Sequence, residues 1–168
     1  MKKVIVNSEN QILMKRIKHL FTALLLLFCT VVNAHDFEVS GIYYNITDES
    51  NKTVAVTYRG SSYSEYSNEY TGNVVIPETV TYNDVTYNVT TIGMDAFYNC
   101  SGLTSVTIGN SVTSIGKEAF YRCSGLTSVT IGNSVTSIGM DAFGNCSGLT
   151  SIVIGNSVTR IESEAFGI

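Results

Sequence analysis

The side chains of this sequence that could do chemistry recur at a fixed interval of 23 residues. Carboxylates occupy one position of the interval and thiols another: Asp95, Glu118, Asp141 and Glu164, and Cys100, Cys123 and Cys146. In a stacked repeat the carboxylates would form a column with a spacing of about 5 Å, which could bind a cation weakly, and neighbouring thiols could form a disulfide. The simpler interpretation is a solvated acidic column beside buried thiols that act as small apolar side chains. A single disulfide would also leave one of the three thiols unpaired.

Groups that could carry out catalysis are almost absent from the sequence. His35 is the only histidine after residue 34, so neither a Ser-His-Asp nor a Cys-His arrangement has a base that the fold could hold in place. Cysteines 23 residues apart and one histidine provide none of the short ligand pairs of zinc sites. Glycine motifs for phosphates or dinucleotides are missing as well. The sequence therefore predicts a protein that is not an enzyme, with no catalytic, cofactor-binding or metal site.

The repeat itself is the element that must position these residues. Residues 103–116 recur letter for letter at 126–139. Within one copy the apolar positions of 103–108 suit a short strand, and 109–111 are a turn signal. Residues 117–120 have room only for a helical turn or a short 3₁₀ segment. Because no helical stripe joins the apolar positions and a lone coil buries too little, each copy is predicted to be one coil of a β-rich solenoid.

The spacing Leu-x-x-Val-x-Ile, followed by Ala-Phe-x-x-Cys, resembles that of a leucine-rich repeat. The wording SGLTSVTIGNSVTSIG resembles the BspA-like class of these repeats, found in surface proteins of Bacteroides-type bacteria. The resemblance covers an irregular coil at 74–99 and three full coils at 100–122, 123–145 and 146–168. It implies a leucine-rich-repeat solenoid of 23-residue coils. It also implies adhesion to host extracellular-matrix proteins, to host cells or to other bacteria.

Residues 35–73 lack the repeat and are rich in Tyr, Ser and Thr. Strand-like alternation at 37–47 and 53–59, with a polar turn between them, predicts an N-terminal β-hairpin cap. Such a cap would cover the backbone and the apolar layer of the first coil. In the irregular coil, residues 81–88 predict a second small hairpin that turns at Asn83-Asp84, and Pro77 is expected to end a strand.

Residues 1–34 are typical of a secretion signal peptide. Basic residues within 15–18 precede a 13-residue apolar run at 20–32, and a small-residue cleavage signal ends at Ala34. The run is short for a membrane span, although a signal anchor is an alternative. We expect no membrane span once this segment is removed.

Two further alternatives concern the same segment. Cys29 could be a lipidation site, but such signals have a small residue before the cysteine, and here it is Phe28. Met14 could be the true start. Without residues 1–34, five basic residues stand against thirteen carboxylates, a formal charge of −8. This charge argues against nucleic acid or an anionic membrane as the partner.

Two regions carry the candidate partner-binding residues. The first is the segment 61–71, with Tyr63, Tyr66 and Tyr70 among small polar residues. Tyrosine suits recognition because its ring offers amphipathic contact area at low entropy cost; the alternative is a flap whose rings cover the cap. The second is the edge beside the Ala-Phe turn, where the copies differ most: Lys117, Glu118, Tyr121, Arg122, Met140 and Asp141. The outward strand positions are nearly invariant small hydroxyls and carry less information about a partner.

These observations predict a secreted or cell-surface protein that binds another protein, either a host matrix or cell-surface protein or a bacterial surface protein. Four coils stack to roughly 20 Å, which gives at most the ~800 Å² per partner of a standard interface. We expect a monomer whose attachment depends on many copies acting together. The alternative is a non-adhesive structural or accessory module, such as a fragment of a larger repeat protein, because no polar capping repeat follows residue 168.

Overall fold

Strands and tight turns, without a helix, make up the part of the chain that the computed structural model describes, residues 35–65 and 68–167. The predicted signal peptide at 1–34, together with Tyr66, Ser67 and Ile168, lies outside the described residues. The repeats stack as parallel strands in two sheets, and each of the three full coils contributes one strand to each sheet. The predicted β-rich solenoid is therefore confirmed.

The predicted cap consists of three antiparallel strands, which are β1 (Phe37–Val39), β2 (Ile42–Asp48) and β3 (Thr53–Thr57). β2 and β3 form the expected hairpin, and the Asp48 carboxylate accepts the backbone N–H of Asn51 at 2.9 Å in its turn. The prediction of one strand over 37–47 is wrong. Ser40 and Gly41 have left-handed φ values of 54° and 77°, so the chain reverses between β1 and β2.

The irregular first coil contains β4 (Gly72–Ile76), β5 (Thr79–Tyr82) and β6 (Val85–Ile92). β5 and β6 form the predicted small hairpin, with Asn83 and Asp84 at φ 48° and 62° in its turn, as a type I′ turn requires. β4 ends directly before Pro77, as expected. β3 pairs in parallel with β6, so the cap extends one of the two sheets of the solenoid.

The three regular coils add two strands each: β7 (Leu103–Ile108) and β8 (Ser114–Ile115), β9 (Ser128–Thr130) and β10 (Ser137–Ile138), and β11 (Ser151–Val153) and β12 (Arg160–Ile161). The four-stranded sheet has the order β11-β9-β7-β4, and the eight-stranded sheet runs β1-β2-β3-β6-β8-β10-β12 with β5 beside β6. Val106 lies opposite Val129, and Val129 lies opposite Ile152. Residues at the same repeat position therefore pair across neighbouring coils. The sequence does not predict the second strand of each coil, because two residues are too few to show an alternation.

A stack of aromatic rings runs through the core. Phe120 packs between Phe97 and Phe143, with ring centroids 4.7 Å and 4.9 Å away. Phe166 continues the stack at 5.3 Å from Phe143, and Tyr70 closes its other end at 4.4 Å from Phe97. One such ring per coil fills the core, and Phe120 and Phe143 each pack against a ring of the coil before and a ring of the coil after.

The thiol column lies beside the ring stack. Cys100, Cys123 and Cys146 are buried and free. The thiol of Cys123 donates to the carbonyl oxygen of Phe97 at 3.0 Å, and that of Cys146 donates to the carbonyl oxygen of Phe120 at 3.0 Å. Burial raises the pKa of Cys100 to about 11. The interpretation of these cysteines as small, buried apolar side chains is thus confirmed.

Candidate protein-binding edge

The turn that follows the second strand of each coil carries most of the candidate residues. In the coil of β7 and β8, Glu118 and Arg122 have left-handed φ values of 54° and 59°. The prediction of a helical turn or 3₁₀ segment at 117–120 is wrong, because a left-handed residue interrupts a right-handed helix. Asp95 and Asp141 at the equivalent position have φ values of 57° and 53°, so neighbouring coils repeat the same turn.

Hydrogen bonds between the backbones of these turns hold their side chains in line. The N–H of Phe97 donates to the carbonyl of Ala119 at 2.7 Å, and the N–H of Phe120 donates to that of Ala142 at 2.7 Å. The N–H of Asn99 donates to the carbonyl of Tyr121 at 2.7 Å. Because the bonds repeat with the coil, residues one repeat apart lie side by side along this edge.

Four tyrosines form a continuous row on the edge, and we name it the tyrosine row: Tyr58, Tyr63, Tyr98 and Tyr121. Tyr58 and Tyr63 meet edge to face, with 6.4 Å between ring centroids. Tyr63 lies 4.6 Å from Tyr98, and Tyr98 stacks on Tyr121 at 5.4 Å. The row joins a cap residue and a residue of the tyrosine-rich segment to the edge of the first two coils.

The row ends at the third coil, where the repeat position has no aromatic ring. Gly144 takes the place of a tyrosine there, and a Cβ on it would lie 2.9 Å from Cδ2 of Tyr121. The Tyr121 ring therefore packs over a bare backbone. Asn145 fixes its outer end, because the Asn145 amide Nδ2 donates to the Tyr121 hydroxyl at 2.9 Å.

Cationic groups lie beside the row. The guanidinium of Arg122 sits over the Tyr121 ring, 5.4 Å from its centroid, which is within cation–π range. Lys117 Nζ lies 2.9 Å from Glu118 Oε1, and the carboxylate raises the pKa of this exposed lysine. Burial raises the pKa of Tyr98.

Two methionines border the same surface. Met94 and Met140 occupy the repeat position of Lys117 and are 60% and 40% exposed. Exposed methionine adapts to the shape of a partner, and interfaces are enriched in aromatic residues, Met and Arg. The edge therefore has the composition of a protein-binding surface, although the sequence did not point to Tyr58, Tyr98 or Met94.

The acidic column differs from the expected solvated one at its first member. Asp95 is only 9% exposed, whereas Glu164 is exposed. Burial and, to a smaller extent, the nearby charge of Glu118 raise the pKa of Asp95 to about 6, against the opposing charge of Lys117. Within residues 35–65 and 68–167, no group of three or more His, Cys, Asp or Glu side chains is arranged to hold a metal ion.

The tyrosine-rich segment 61–71 has two predicted roles, recognition of a partner and coverage of the cap, and its tyrosines divide between an exposed and a buried position. Tyr63 is 37% exposed and belongs to the tyrosine row. The prediction of Tyr70 as a partner-binding residue is wrong, because the side chain is 3% exposed and covers the ring stack. Its hydroxyl accepts the N–H of Tyr43 at 3.1 Å and donates to the carbonyl of Thr57 at 2.7 Å. Tyr66 lies outside the described residues.

The remaining candidates lie on the edge as expected: Lys117, Glu118, Tyr121, Arg122, Met140 and Asp141. Whether they bind a partner stays a prediction. None of the described segments forms a helix long and apolar enough to cross a membrane.

The family of the chain follows from its repeats. Residues 66–167 match the model of the BspA type leucine-rich repeat region, a model of six copies. The chain belongs to this family, as the repeat wording predicts. Among curated proteins, none matches it.

Two solved structures with the same fold come from Bacteroides species. A leucine-rich repeat protein from Bacteroides ovatus is 36% identical with a TM-score of 0.68, over 79% of this chain and 33% of that one. Another, from Bacteroides capillosus, is 29% identical with a TM-score of 0.62, over 75% of this chain and 86% of that one. The match thus spans about a third of the Bacteroides ovatus chain.

Proposed function

We propose that this chain is a secreted or surface-exposed protein-binding module, and that it contacts its partner through the tyrosine row and the side chains beside it. The proposed role is adhesion to host extracellular-matrix proteins, to host cells or to other bacteria. One observation carries the proposal: tyrosines from the cap, the tyrosine-rich segment and two coils converge on one edge. Membership of the leucine-rich-repeat family supports it.

The physical argument rests on what this edge offers to a partner. The tyrosine rings are already held by one another and by Asn145, so binding costs little side-chain entropy. Arg122 and the two methionines add a cation and adaptable apolar area beside the rings. Hot spots of protein interfaces are enriched in Tyr and Arg, and their truncation typically costs more than about 2 kcal/mol.

A binding experiment with two variants tests the proposal. The full chain, purified as the cell processes it, is displayed on beads and offered to matrix proteins, host cells and bacterial cells. The edge variant carries Tyr63→Ser, Tyr121→Ser and Arg122→Asn, the last because Asn99 and Asn145 occupy that position in the neighbouring coils. The matched control carries Thr107→Ala and Thr130→Ala, two exposed residues of the four-stranded sheet.

We expect saturable capture by the wild type and the control, and at least a tenfold loss in the edge variant. Equal capture by both variants would remove the edge from the proposal. If no partner is captured by a folded wild type, the adhesive role itself is wrong. Single sites of this size bind weakly, so the multivalent display is needed to detect them.

A further inference from the structure

The two sheets of the solenoid end differently beside the cap. In the eight-stranded sheet, β3 pairs with β6, and β2 and β1 follow. In the four-stranded sheet, β4 is the edge strand and, among the described strands, pairs only with β7. The cap therefore covers the first coil on one sheet and leaves the other sheet with an open edge.

At the open edge of β4, the backbone N–H and C=O groups of two residues point away from β7. Gly72 N–H donates to the carbonyl of Gly102 at 2.8 Å, and the carbonyl of Ile76 accepts the N–H of Gly109 at 3.1 Å. Backbone groups in a parallel ladder face the two neighbours alternately. Because Gly72 and Ile76 face β7, the N–H and C=O groups of Asn73 and Val75 face the open side.

A groove of about 660 Å³ runs beside this edge, between β4 and the turn that joins β1 to β2. Its floor is apolar and buried, and it is formed by Ile42, Tyr44 and Val80. Val75 stands on the outer face of β4 at the rim and is 65% exposed. Of the residues that line the groove, Glu69 alone carries a charge.

We propose that this groove binds an extended polypeptide segment, which adds to β4 as a fifth strand of the four-stranded sheet. The open backbone groups of β4 match an extended chain and no other conformation of a peptide. Side chains of such a strand alternate between faces, so every second one would enter the apolar floor and the others would lie beside Asn73 and Val75. The ligand is thus a segment of four or five residues in which apolar residues alternate with small or β-branched polar ones.

The length of the segment follows from the end of β4. Pro77 has no N–H and ends the edge after Ile76, which limits pairing to the five residues of β4. A second copy of the chain fits less well than a single segment. Its whole coil would meet β1 and β2, which already occupy that end of the molecule. This site is separate from the tyrosine row and does not depend on it.

Fluorescence anisotropy with a labelled peptide SVTIG, residues 105–109, tests the site, because polar and apolar side chains alternate along Ser105 to Ile108 of β7. One control peptide carries N-methyl groups on alternate residues and cannot donate to β4. The protein variant Val75→Pro removes one edge N–H, and Val75→Thr is the matched control that retains it. We expect saturable binding to the full-length wild type and to Val75→Thr, and at least tenfold weaker binding to Val75→Pro and by the methylated peptide.

Amide hydrogen exchange gives a readout that does not depend on how the proline variant folds. The bound peptide should slow exchange at Asn73 and Val75 of the wild type and leave Thr107 unchanged. Failure to saturate, equal binding of the methylated peptide, or protection elsewhere would overturn the proposal. Sedimentation velocity gives a further test. Dimers of the chain alone that Val75→Pro abolishes would overturn the proposal, because the edge of β4 would then bind a second copy of the chain.

Discussion

The rings of Tyr98 and Tyr121 stack one repeat apart, with 5.4 Å between their centroids and 26° between their planes. An aromatic pair of this kind contributes about 0.5–1.5 kcal/mol beyond its buried area. We therefore predict that Tyr98→Ser and Tyr121→Ser are not additive, with a coupling energy in that range. Urea unfolding of the two single variants and the double variant measures it.

The matched control for this cycle pairs Tyr98→Ser with Thr130→Ala. Thr130 lies in β9 of the four-stranded sheet and is exposed, so the two free energies of unfolding should add within about 0.3–0.5 kcal/mol. Additivity of the tyrosine pair to the same degree would mean that the stack contributes nothing to stability.

Phe120 should be the more costly of two phenylalanine truncations in the ring stack. It is fully buried between two rings, so Phe120→Ala should lower the free energy of unfolding by about 3–5 kcal/mol. Phe166 is partly buried and contacts one ring of the stack, so Phe166→Ala should cost about half as much. Chemical denaturation of both variants checks the order, and an equal or reversed order would show that the stack is not the main support between coils.

The sequence predicts the solenoid well because its information is repeated. The inward assignment of Leu103 and Val106 is supported by the same residues in the next copy. These inward positions of β7 are buried as expected. It predicts the turn at Asn83-Asp84 but misses those at Ser40 and Glu118, because the left-handed φ of these two residues leaves no pattern in side-chain polarity. Neither serine nor glutamate is a residue that signals such a conformation.

The candidate site was predicted in part for a related reason. Tyr121 and Arg122 stand out because the copies differ there. Tyr58 lies outside the repeat, and only the packing of the cap brings it to Tyr63. Tyr98 occupies the repeat position of Tyr121, and this match is a signal in the sequence that could have identified it. The opposite roles of Tyr63 and Tyr70, which are close in sequence, likewise depend on which ring meets Phe97.

Loss of a single oxygen at Tyr70 should destabilise the protein. Tyr70→Phe would leave the N–H of Tyr43 and the carbonyl of Thr57 without their buried partner, at a cost of about 1–3 kcal/mol. Tyr63→Phe is the matched control, because Tyr63 is exposed, and it should change stability by less than about 0.5 kcal/mol. Thermal unfolding compares the two, and an unchanged Tm for Tyr70→Phe would mean that water replaces the hydroxyl.

The stability contribution of Asp95 should depend on pH. Burial raises the pKa of this carboxyl from 3.8 to about 6 in the folded protein, so the folded state binds the proton more tightly than the unfolded state. Above pH 6 the ionised side chain opposes folding, and this penalty disappears as the pH falls from about 6 towards 3.8. Asp95→Asn should therefore stabilise the protein at pH 7.5, by about 1 kcal/mol after allowance for solvent screening.

Asparagine is the suitable replacement at this position because it tolerates the left-handed φ of 57°. The difference in free energy of unfolding between Asp95→Asn and the wild type should shrink to near zero at pH 4, as urea titrations across this range would measure. Asp141→Asn is the control, since Asp141 has the same backbone conformation with φ 53° and lacks the burial of Asp95. The prediction is wrong if the gain in free energy of unfolding from Asp95→Asn stays constant from pH 7.5 to 4, or if Asp141→Asn gives an equal gain. Asparagine would then stabilise the backbone conformation and not remove a buried charge.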